Sequence, residues 1–357
     1  MGFSKIKYMP YLRFYLDNLD SAKHDIHVLY WNRDLAPENT QEYSHTVLHE
    51  FVSRQEDNVR KSSKIFNFIR YRQFAKKLIR KEKYDLIIAL HTFPAVLLFD
   101  KLTGKYKNKF IFDYRDETYE KYSFFKRMIH KLVRRSATTF VSSDGFRQLL
   151  PQDASHKIYT SHNFIKDSLD HRDDKKEAFS PGIIRISYWG FIRDERVNRC
   201  VIERISRDSR FELHYYGRID RLAERLQEHA VNLGAQNIFF HGEYVPSDRY
   251  QFIQTTDIIH NVFGDHNMMI AMSNRFYDGL IFRIPQICIQ NSVMGNRATS
   301  AAIGLACDPT APDFTDALYE YVTSLNREEF NRACDAELKK ILTEHQKGCQ
   351  IIQNLVK

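Results

Sequence analysis

Short apolar runs alternate with longer amphipathic stretches along the whole chain. Short continuous apolar runs predict buried strands, and apolar residues spaced three or four apart predict helices. In the first half, strands are predicted at residues 26–30, 86–90, 110–112 and 139–141, and helices at about 65–82, 94–103 and 121–135. In the second half, strands are predicted at residues 184–190, 211–217, 238–242, 258–262 and 286–289. This alternation favours an α/β protein with parallel sheets.

The length of 357 residues exceeds what one ordinary hydrophobic core organises, so we expect two domains. Residues 165–182 are polar, dense in charge and end in Pro-Gly, a composition typical of a linker. We therefore predict a first domain at 1–164 and a second at 183–335. Residues 336–357 are expected to form a C-terminal helix that packs back toward the first domain.

Overall composition is that of an ordinary globular protein, with 43% hydrophobic and 27% charged residues. The chain contains no run of eighteen apolar residues, and its first residues lack the apolar core of a secretory signal. The five cysteines have spacings typical of neither a zinc site nor a disulfide framework. We expect a cytoplasmic protein with reduced thiols.

The net charge of +8 is concentrated in the first half, where residues 1–164 carry +11 and the remainder carries −3. Such a basic region indicates an anionic partner, either nucleic acid or a membrane surface. Residues 64–83 and 121–135 each combine an aromatic and aliphatic stripe with flanking Lys and Arg. Basic amphipathic helices of this kind lie in anionic headgroup regions. We favour peripheral contact with an anionic membrane, since no nucleic-acid-binding motif is present.

The segment 274–285 is the most informative motif. Asn274, Arg275 and Asp278 lie three or four residues apart, so on a helix they share one end and one face. An apolar turn follows, and Pro285 then precedes a second apolar run. The segment resembles the Asn-Lys-x-Tyr-Glu-x5-Gly-x-Pro-Val-Ile motif of nucleotide-sugar glycosyltransferases of the GT-B fold. The resemblance implies that Asp278 holds the donor ribose and that the helix N-terminus faces the diphosphate.

Three strand ends earlier in the second half extend this resemblance. They place Gly190, Gly217 and the loop 241–246 at the carboxyl ends of strands, where open α/β sheets bind ligands. The resemblance implies that a nearby Arg neutralises the leaving diphosphate and that backbone groups of Tyr244 and Val245 pair with a uracil-like base. The full set of implied donor-binding residues is Gly190, Arg193, Arg196, Gly217, Arg218, Tyr244, Val245, Asn274, Arg275, Tyr277 and Asp278.

The chain departs from this family at two positions: Asp278 replaces the usual ribose-binding Glu, and a second acidic residue is missing. Many retaining members carry Glu-x7-Glu, but the residue eight positions before Asp278 is Ile270, which cannot act as an acid. The loop before it offers Asp265, His266 and Asn267 as substitutes that contact sugar hydroxyls. Retention or inversion at the anomeric carbon therefore stays open.

In the first half, residues 113–117 follow a predicted strand and resemble the Asp-x-Arg-Asp signature of bacterial polysaccharide glycosyltransferases. A carboxylate at this strand end can accept the proton of an acceptor hydroxyl, so Asp116 is our first candidate for the general base. His91, after the strand 86–90, is the second, and Arg115 belongs to the same catalytic set. No Asp-x-Asp motif occurs, so we expect metal-independent catalysis without a cofactor.

A further expectation concerns the start of the chain. A Rossmann-like domain normally opens with a buried strand, whereas here a helix-like segment at 11–19 comes almost at once. Either residues 1–4 are the remnant of that strand, with Gly2 in its turn, or the recorded start lies downstream of the natural one. We favour the second interpretation.

Taken together, the resemblance implies two Rossmann-like domains that face each other across a cleft. The resemblance is to family-4-like capsule and exopolysaccharide glycosyltransferases, a retaining group of hexosyltransferases. The expected reaction moves a sugar from a nucleotide diphosphate donor, expected to be UDP-linked, to a lipid-linked or glycan acceptor at the cytoplasmic face of the cell membrane. A UDP-sugar 2-epimerase-like enzyme and a non-catalytic nucleotide-sugar-binding subunit are the alternatives.

Overall fold

The computed structural model describes residues 1–55, 61–173 and 182–357. The chain divides into two compact units. The first comprises Met1–His162 together with Thr343–Lys357, and the second comprises Asn163–Leu342. Part of the predicted linker, 174–181, lies outside the described residues. Residues 165–173 of the predicted linker belong to the second unit, and Leu169 packs there in a hydrophobic cluster.

The first unit contains two parallel sheets, one of strands β1 and β2 and one in the order β3-β4-β5-β6. Its strands are β1 His27–Asn32, β2 Val47–Val52, β3 Ile87–Leu90, β4 Phe110–Tyr114, β5 Thr138–Val141 and β6 Ile158–Thr160. Its α-helices before the second unit are α1 Leu12–Leu16, α2 Lys61–Glu82, α3 Thr92–Leu97, α4 Phe99–Thr103 and α5 Ser123–Arg135. The β4 strand is buried along its whole length, as a continuous apolar run predicts.

Residues 1–4 lie between β1 and β3. The backbone nitrogen of Gly2 donates to the Leu29 carbonyl at 2.8 Å, and that of Met1 donates to the Ile88 carbonyl at 2.6 Å. Residues 1–4 therefore occupy the position of a strand between the two sheets.

The second unit has one six-stranded parallel sheet in the order β12-β11-β10-β7-β8-β9. Its strands are β7 Ile184–Trp189, β8 Phe211–Tyr216, β9 Ile238–Gly242, β10 Ile258–Asn261, β11 Gln286–Ile289 and β12 Gly304–Cys307. Its helices are α6 Glu195–Ile205, α7 Arg221–Asn232, α8 Arg249–Thr255, α9 His266–Ile270, α10 Asn274–Ile281, α11 Val293–Ser300, α12 Phe314–Thr323 and α13 Arg327–Leu355. The strand order reverses between β7 and β10, and ligands of such sheets bind at this switch point.

Helix α13 is longer than predicted. It begins at Arg327 rather than at residue 336, and it is continuous to Leu355. Its residues up to Leu342 belong to the second unit, whereas those from Thr343 belong to the first. In the first unit, Ile352 is fully buried in a cluster that includes Phe14 and Phe140.

The sequence prediction missed three strands for a local reason. Strand β2 has mostly exposed or half-buried residues, so its apolar signal is weak. Strands β6 and β12 contain only three and four residues, respectively. Within the described ranges, no helix is long and apolar enough to span a bilayer.

Candidate functional site

Three glycines lie side by side at the carboxyl edge of the second sheet. The Gly190 nitrogen donates to the Tyr216 carbonyl at 2.9 Å, and the Gly217 nitrogen donates to the Gly242 carbonyl at 2.8 Å. Gly190 has a φ of +109°, a conformation that favours glycine. A Cβ atom on Gly217 would lie 2.1 Å from the Gly190 carbonyl oxygen, so no side chain fits there. The strand ends thus form a backbone surface that a ligand can approach closely.

Arg275 lies next to this surface, in the first turn of α10. Only 7% of Arg275 is exposed, and its Nη1 donates to the Trp189 carbonyl. Its guanidinium lies 3.7 Å from the centre of the Tyr188 ring, and a Cβ atom on Gly190 would lie 3.3 Å from Nη1. Among the residues that the structure describes, its Nε has no hydrogen-bond partner. A buried cation with an unused donor is therefore held beside Gly190, at a helix N-terminus.

The start of α10 is set by a side-chain cap. The Ser273 hydroxyl accepts a hydrogen bond from the Phe276 nitrogen at 3.1 Å and donates to Asn261 Oδ1 at 2.7 Å. This cap fixes the helix N-terminus relative to the end of β10, and Asn274 is exposed in the first turn. The predicted helix start and its position at the sheet edge are both observed.

Asp278 lies one turn further along α10 and is only 2% exposed. Its Oδ2 accepts a hydrogen bond from the indole Nε1 of Trp189 at 2.9 Å and lies 3.9 Å from Nε of Arg249. Burial raises the pKa of Asp278, while the Arg249 charge and the Trp189 hydrogen bond oppose this rise. Because the carboxylate is buried against Trp189, its predicted contact with a ribose stays a prediction.

The raised pKa of Asp278 has a consequence for stability. The folded protein holds a proton on this carboxyl more tightly than the unfolded chain does, so the free energy of unfolding should fall as pH rises from about 4 through the raised pKa. Asp278→Asn should remove this pH-dependent contribution to the free energy of unfolding. Urea unfolding of both proteins between pH 4 and 7 tests it. A wild-type-minus-variant difference that does not change with pH would contradict the assignment.

Two predicted donor contacts are corrected by the structure. Tyr277 is fully buried in the hydrophobic core and has no surface to present to a ligand. The Val245 nitrogen donates to Asp248 Oδ2 at 3.1 Å, and its carbonyl accepts from the Asp248 nitrogen at 2.9 Å. Both backbone groups that were expected to pair with a base are therefore engaged in a turn, although the Val245 side chain is exposed.

The Tyr244 side chain lies close to the positive charges of Arg275 and Arg249. Its ring packs edge-on against Phe252, with 5.2 Å between the centroids. Burial raises the pKa of Tyr244, and the positive charges of Arg275 and Arg249 oppose this rise. The side chain of Tyr244, rather than the backbone of Val245, is thus the part of this loop that lies near the site.

The remaining predicted arginines are at the surface. Arg193 is exposed, with its guanidinium 5.5 Å from the centre of the Phe191 ring, and Arg218 is exposed after Gly217. Arg196 is exposed and lines a cavity of about 280 Å³ that Asp308 also borders. Their predicted contacts with the diphosphate stay predictions.

The loop after β10 is fixed by a residue that the sequence analysis missed. Asp194 has a φ of +59° and caps α6 by accepting from the Val197 nitrogen at 3.2 Å. Its other oxygen accepts from the Gly264 nitrogen at 2.7 Å. An Asp immediately before an amphipathic helix is the local signal of such a cap. It ties the loop after β7 to the loop after β10.

The predicted sugar-contacting residues follow Gly264. The Asp265 carboxylate accepts from the Met268 nitrogen at 3.0 Å and so caps the short helix α9. His266 is exposed, and Asn267 is half-buried. Asp265 therefore has a structural role in the loop, and the contacts of all three with a sugar stay predictions.

In the first unit, His91 and Asp116 lie together at the ends of β3 and β4. The distance between His91 Nδ1 and Asp116 Oδ2 is 3.3 Å, and both side chains are accessible. The Tyr11 ring packs edge-on against the His91 ring at 5.0 Å. The two predicted bases thus form one pair.

Arg115 does not share this accessibility, which corrects its placement in the catalytic set. It is buried, and its Nε donates to Asp113 Oδ2 at 2.8 Å while its Nη2 donates to Ser161 Oγ at 2.7 Å. Its guanidinium lies 4.2 Å from the centre of the Tyr11 ring. Arg115 therefore joins the end of β4 to the residue that follows β6, and its guanidinium packs against Tyr11.

No group of three or more His, Cys, Asp or Glu side chains in the described part of the chain is arranged to hold a metal ion. Metal independence itself stays a prediction.

No protein-family model matches the chain, and no curated protein sequence matches it significantly. Solved structures do match over nearly the whole length. A glycosyltransferase from Rickettsia africae is 14% identical with a TM-score of 0.65, covering 99% of this chain and 94% of that chain. Anabaena HepE in complex with UDP and glucose is 12% identical with a TM-score of 0.66, covering 100% and 99%. Sucrose-phosphate synthase from Thermosynechococcus elongatus is 10% identical with a TM-score of 0.70, covering 99% and 94%.

These likenesses confirm the predicted fold class, an α/β protein with parallel sheets in the GT-B arrangement. At such low identities they show the fold alone, because one fold hosts many activities.

Proposed function

We propose that this protein is a glycosyltransferase that binds a nucleotide diphosphate sugar on its second unit. The observation that carries the proposal is Arg275, held beside Gly190 at the N-terminus of α10 next to the switch point. The donor is UDP-linked and the transferred group is a hexose. The acceptor is a lipid-linked or glycan molecule in surface polysaccharide synthesis.

The chemistry of this site suits a diphosphate. The leaving diphosphate gains negative charge as the sugar departs, and a helix N-terminus together with a buried guanidinium stabilises that charge. Glycine backbone at Gly190 and Gly217 lets phosphate oxygens approach closely. The unused Nε donor of Arg275 supports the presence of an anionic partner. The complex of HepE with UDP supports UDP as the first nucleotide to test.

Titration calorimetry with UDP, GDP, ADP and CMP, in the presence of a metal chelator, tests the proposal. We expect micromolar binding that is selective for UDP. Trp189 contacts Asp278 and provides a second readout, because its fluorescence should change on binding. A Trp31→Phe variant removes the other tryptophan, which lies in the first unit. Failure of all four nucleotides to bind would refute the proposal.

Product analysis separates the two alternatives. With UDP-sugar alone, an epimerase would release UDP and an epimerised sugar. A non-catalytic subunit would bind the nucleotide and release nothing. A glycosyltransferase should require an acceptor for efficient turnover and should return the sugar with its ring configuration at C2 unchanged.

The first unit has an exposed apolar and basic surface that we assign to the cytoplasmic face of the cell membrane. On α2, Phe66 and Ile69 are exposed, and Arg70 lies beside them. On α5, Phe124 is 73% exposed, with Lys126 exposed in the same helix. Exposed aromatic side chains flanked by cations favour insertion into an anionic interface.

The double variant Phe66→Ser with Phe124→Ser should bind anionic vesicles at least tenfold more weakly, because each phenylalanine loses about 1.5–3 kcal/mol of burial in the interface. Sedimentation with phosphatidylglycerol vesicles measures this. Val231→Ser is a matched control, since Val231 is 71% exposed on α7 of the second unit. Equal binding of wild type to phosphatidylcholine and phosphatidylglycerol vesicles would contradict the membrane assignment.

A further inference from the structure

The side chain of Tyr188, near the end of β7, contacts two parts of the proposed diphosphate site. It is fully buried, and the centre of its ring lies 3.7 Å from the guanidinium carbon of Arg275. Its hydroxyl donates to the Phe191 carbonyl at 2.6 Å. Phe191 belongs to residues 190–194, which connect β7 to α6 and which we call the β7–α6 loop. One buried side chain therefore joins Arg275 to this loop.

The β7–α6 loop is held through its carbonyl groups. The Phe191 carbonyl accepts from Tyr188, and the Arg193 carbonyl accepts from Asn198 Nδ2 at 2.6 Å. In a trans peptide, the C=O and the following N–H point in opposite directions. The backbone N–H groups of the residues after Phe191 and Arg193, which are Ile192 and Asp194, therefore point away from the side chains that hold these carbonyls.

The backbone nitrogens of this loop are unused donors. Within the described ranges, the nitrogens of residues 191–194 donate to no other group. Gly190 and Asp194, at the two ends of the loop, both have positive φ angles, of +109° and +59°. Successive N–H groups of a turning backbone form a concave site for an anion. The nearby Arg275 adds a buried cation whose Nε has no partner among the described residues.

His260 packs against Tyr188 without adding charge. It is fully buried in β10, and its ring lies nearly perpendicular to that of Tyr188, with 5.3 Å between the centroids. Its Nδ1 accepts from the Val262 nitrogen at 3.1 Å, so the neutral ring carries its proton on Nε2. Burial and the Arg275 charge lower the pKa of His260 to about 3. At neutral pH, His260 therefore adds no positive charge beside Arg275.

We propose that Tyr188 is a positioning residue for the diphosphate, with its ring acting through Arg275 and its hydroxyl acting through the β7–α6 loop. The proposal rests on the proposed glycosyltransferase function and deepens it. Tyr188 is too deeply buried to touch a ligand itself. Its ring fixes a long side chain that would otherwise sample many rotamers. Its hydroxyl fixes the loop backbone, and both effects order phosphate donors before the ligand arrives.

Two substitutions of Tyr188 separate these effects. Tyr188→Phe keeps the ring and removes the tether of the loop, so UDP should bind about fivefold more weakly. Tyr188→Leu removes both, so UDP should bind about 30-fold more weakly. Calorimetry measures UDP, and an NMR titration measures uridine, which lacks phosphate and should lose less than about twofold in affinity. Equal losses for UDP and uridine would assign Tyr188 a structural role only and overturn the proposal.

A double-mutant cycle identifies the route of each effect. In an Arg275→Met background, the further step from Tyr188→Phe to Tyr188→Leu should cost at most about twofold, because the ring has no guanidinium left to position. Tyr188→Phe should still cost about fivefold in that background, since the tether of the loop does not involve Arg275. A ring effect that is as large in Arg275→Met as in wild type would overturn the role through Arg275.

Thr256→Val is the matched control for lost stability. The Thr256 hydroxyl is buried, lies 2.9 Å from Ser187 Oγ and donates to the Phe252 carbonyl at 2.7 Å. Thr256 precedes β10 and so lies at the amino edge of the same sheet, away from the β7–α6 loop. The variant loses buried hydrogen bonds, as Tyr188→Phe does, but it should leave UDP affinity unchanged.

The two hypotheses fail in different ways. If wild type binds UDP and both Tyr188 variants bind it as tightly, only the role of Tyr188 is wrong. If wild type does not bind UDP, the proposed function is wrong and the role of Tyr188 falls with it.

Discussion

Replacing Arg275 by methionine should weaken the binding of UDP about 50-fold. Arg275 is the buried cation beside Gly190, and hydrogen bonds from a charged group contribute about 1.5–3 kcal/mol each. Methionine retains most of the side-chain volume over the Tyr188 ring while it removes the charge and the donors. Calorimetry with UDP measures the loss.

Two controls make this result specific. Arg332→Met removes a guanidinium from an exposed i,i+4 pair on α13 and should leave UDP affinity unchanged. Arg275→Lys restores the charge without the planar donor set, so its affinity should lie between those of wild type and Arg275→Met. Thermal unfolding separates lost binding from lost folding. An Arg275→Met variant that is folded and binds UDP within twofold of wild type would contradict the site.

Gly217→Ala should destabilise the second unit by about 2–3 kcal/mol and weaken UDP binding at the same time. The added Cβ atom would meet the Gly190 carbonyl oxygen at 2.1 Å, and neither strand end can move without breaking backbone hydrogen bonds. Urea unfolding followed by Trp189 fluorescence, in the Trp31→Phe background, reports on the second unit alone.

Gly234→Ala is the matched control for this prediction. Gly234 has a φ of +67°, but no described atom lies within 4 Å of its Cβ position. Alanine there should cost only about 1 kcal/mol of backbone strain and leave UDP affinity unchanged. If Gly217→Ala is no less stable than Gly234→Ala, the close contact between the two strand ends is not essential.

Local patterns along the sequence determined the α/β class and the positions of most strands. Continuous apolar runs are sufficient for this, because a strand of a parallel sheet is buried on both faces wherever it is placed in the order. They also determined that the ends at Gly190 and Gly217 lie at one edge, since parallel strands share a direction. The helix start at Asn274 followed from its polar first turn.

Only the tertiary structure decided which side chains lie at the site. Arg275 and Arg193 both follow a strand end in the sequence and are equally plausible ligands of a diphosphate. Only Arg275 is buried, with its guanidinium over the Tyr188 ring, whereas Arg193 is exposed. The carboxylate of Asp278 meets the indole of Trp189, 89 positions earlier in the chain. No periodicity within one helix or strand carries information about such a contact.

The same limit applies to Tyr277 and to the pair in the first unit. Tyr277 shares a helix with Arg275 and Asp278, but the residue faces the core, and the sequence did not reveal this. His91 and Asp116 were separate candidates in the sequence and became one pair because β3 and β4 are neighbours. Sequence periodicity determines which elements form, whereas the long-range packing of those elements decides which polar groups meet.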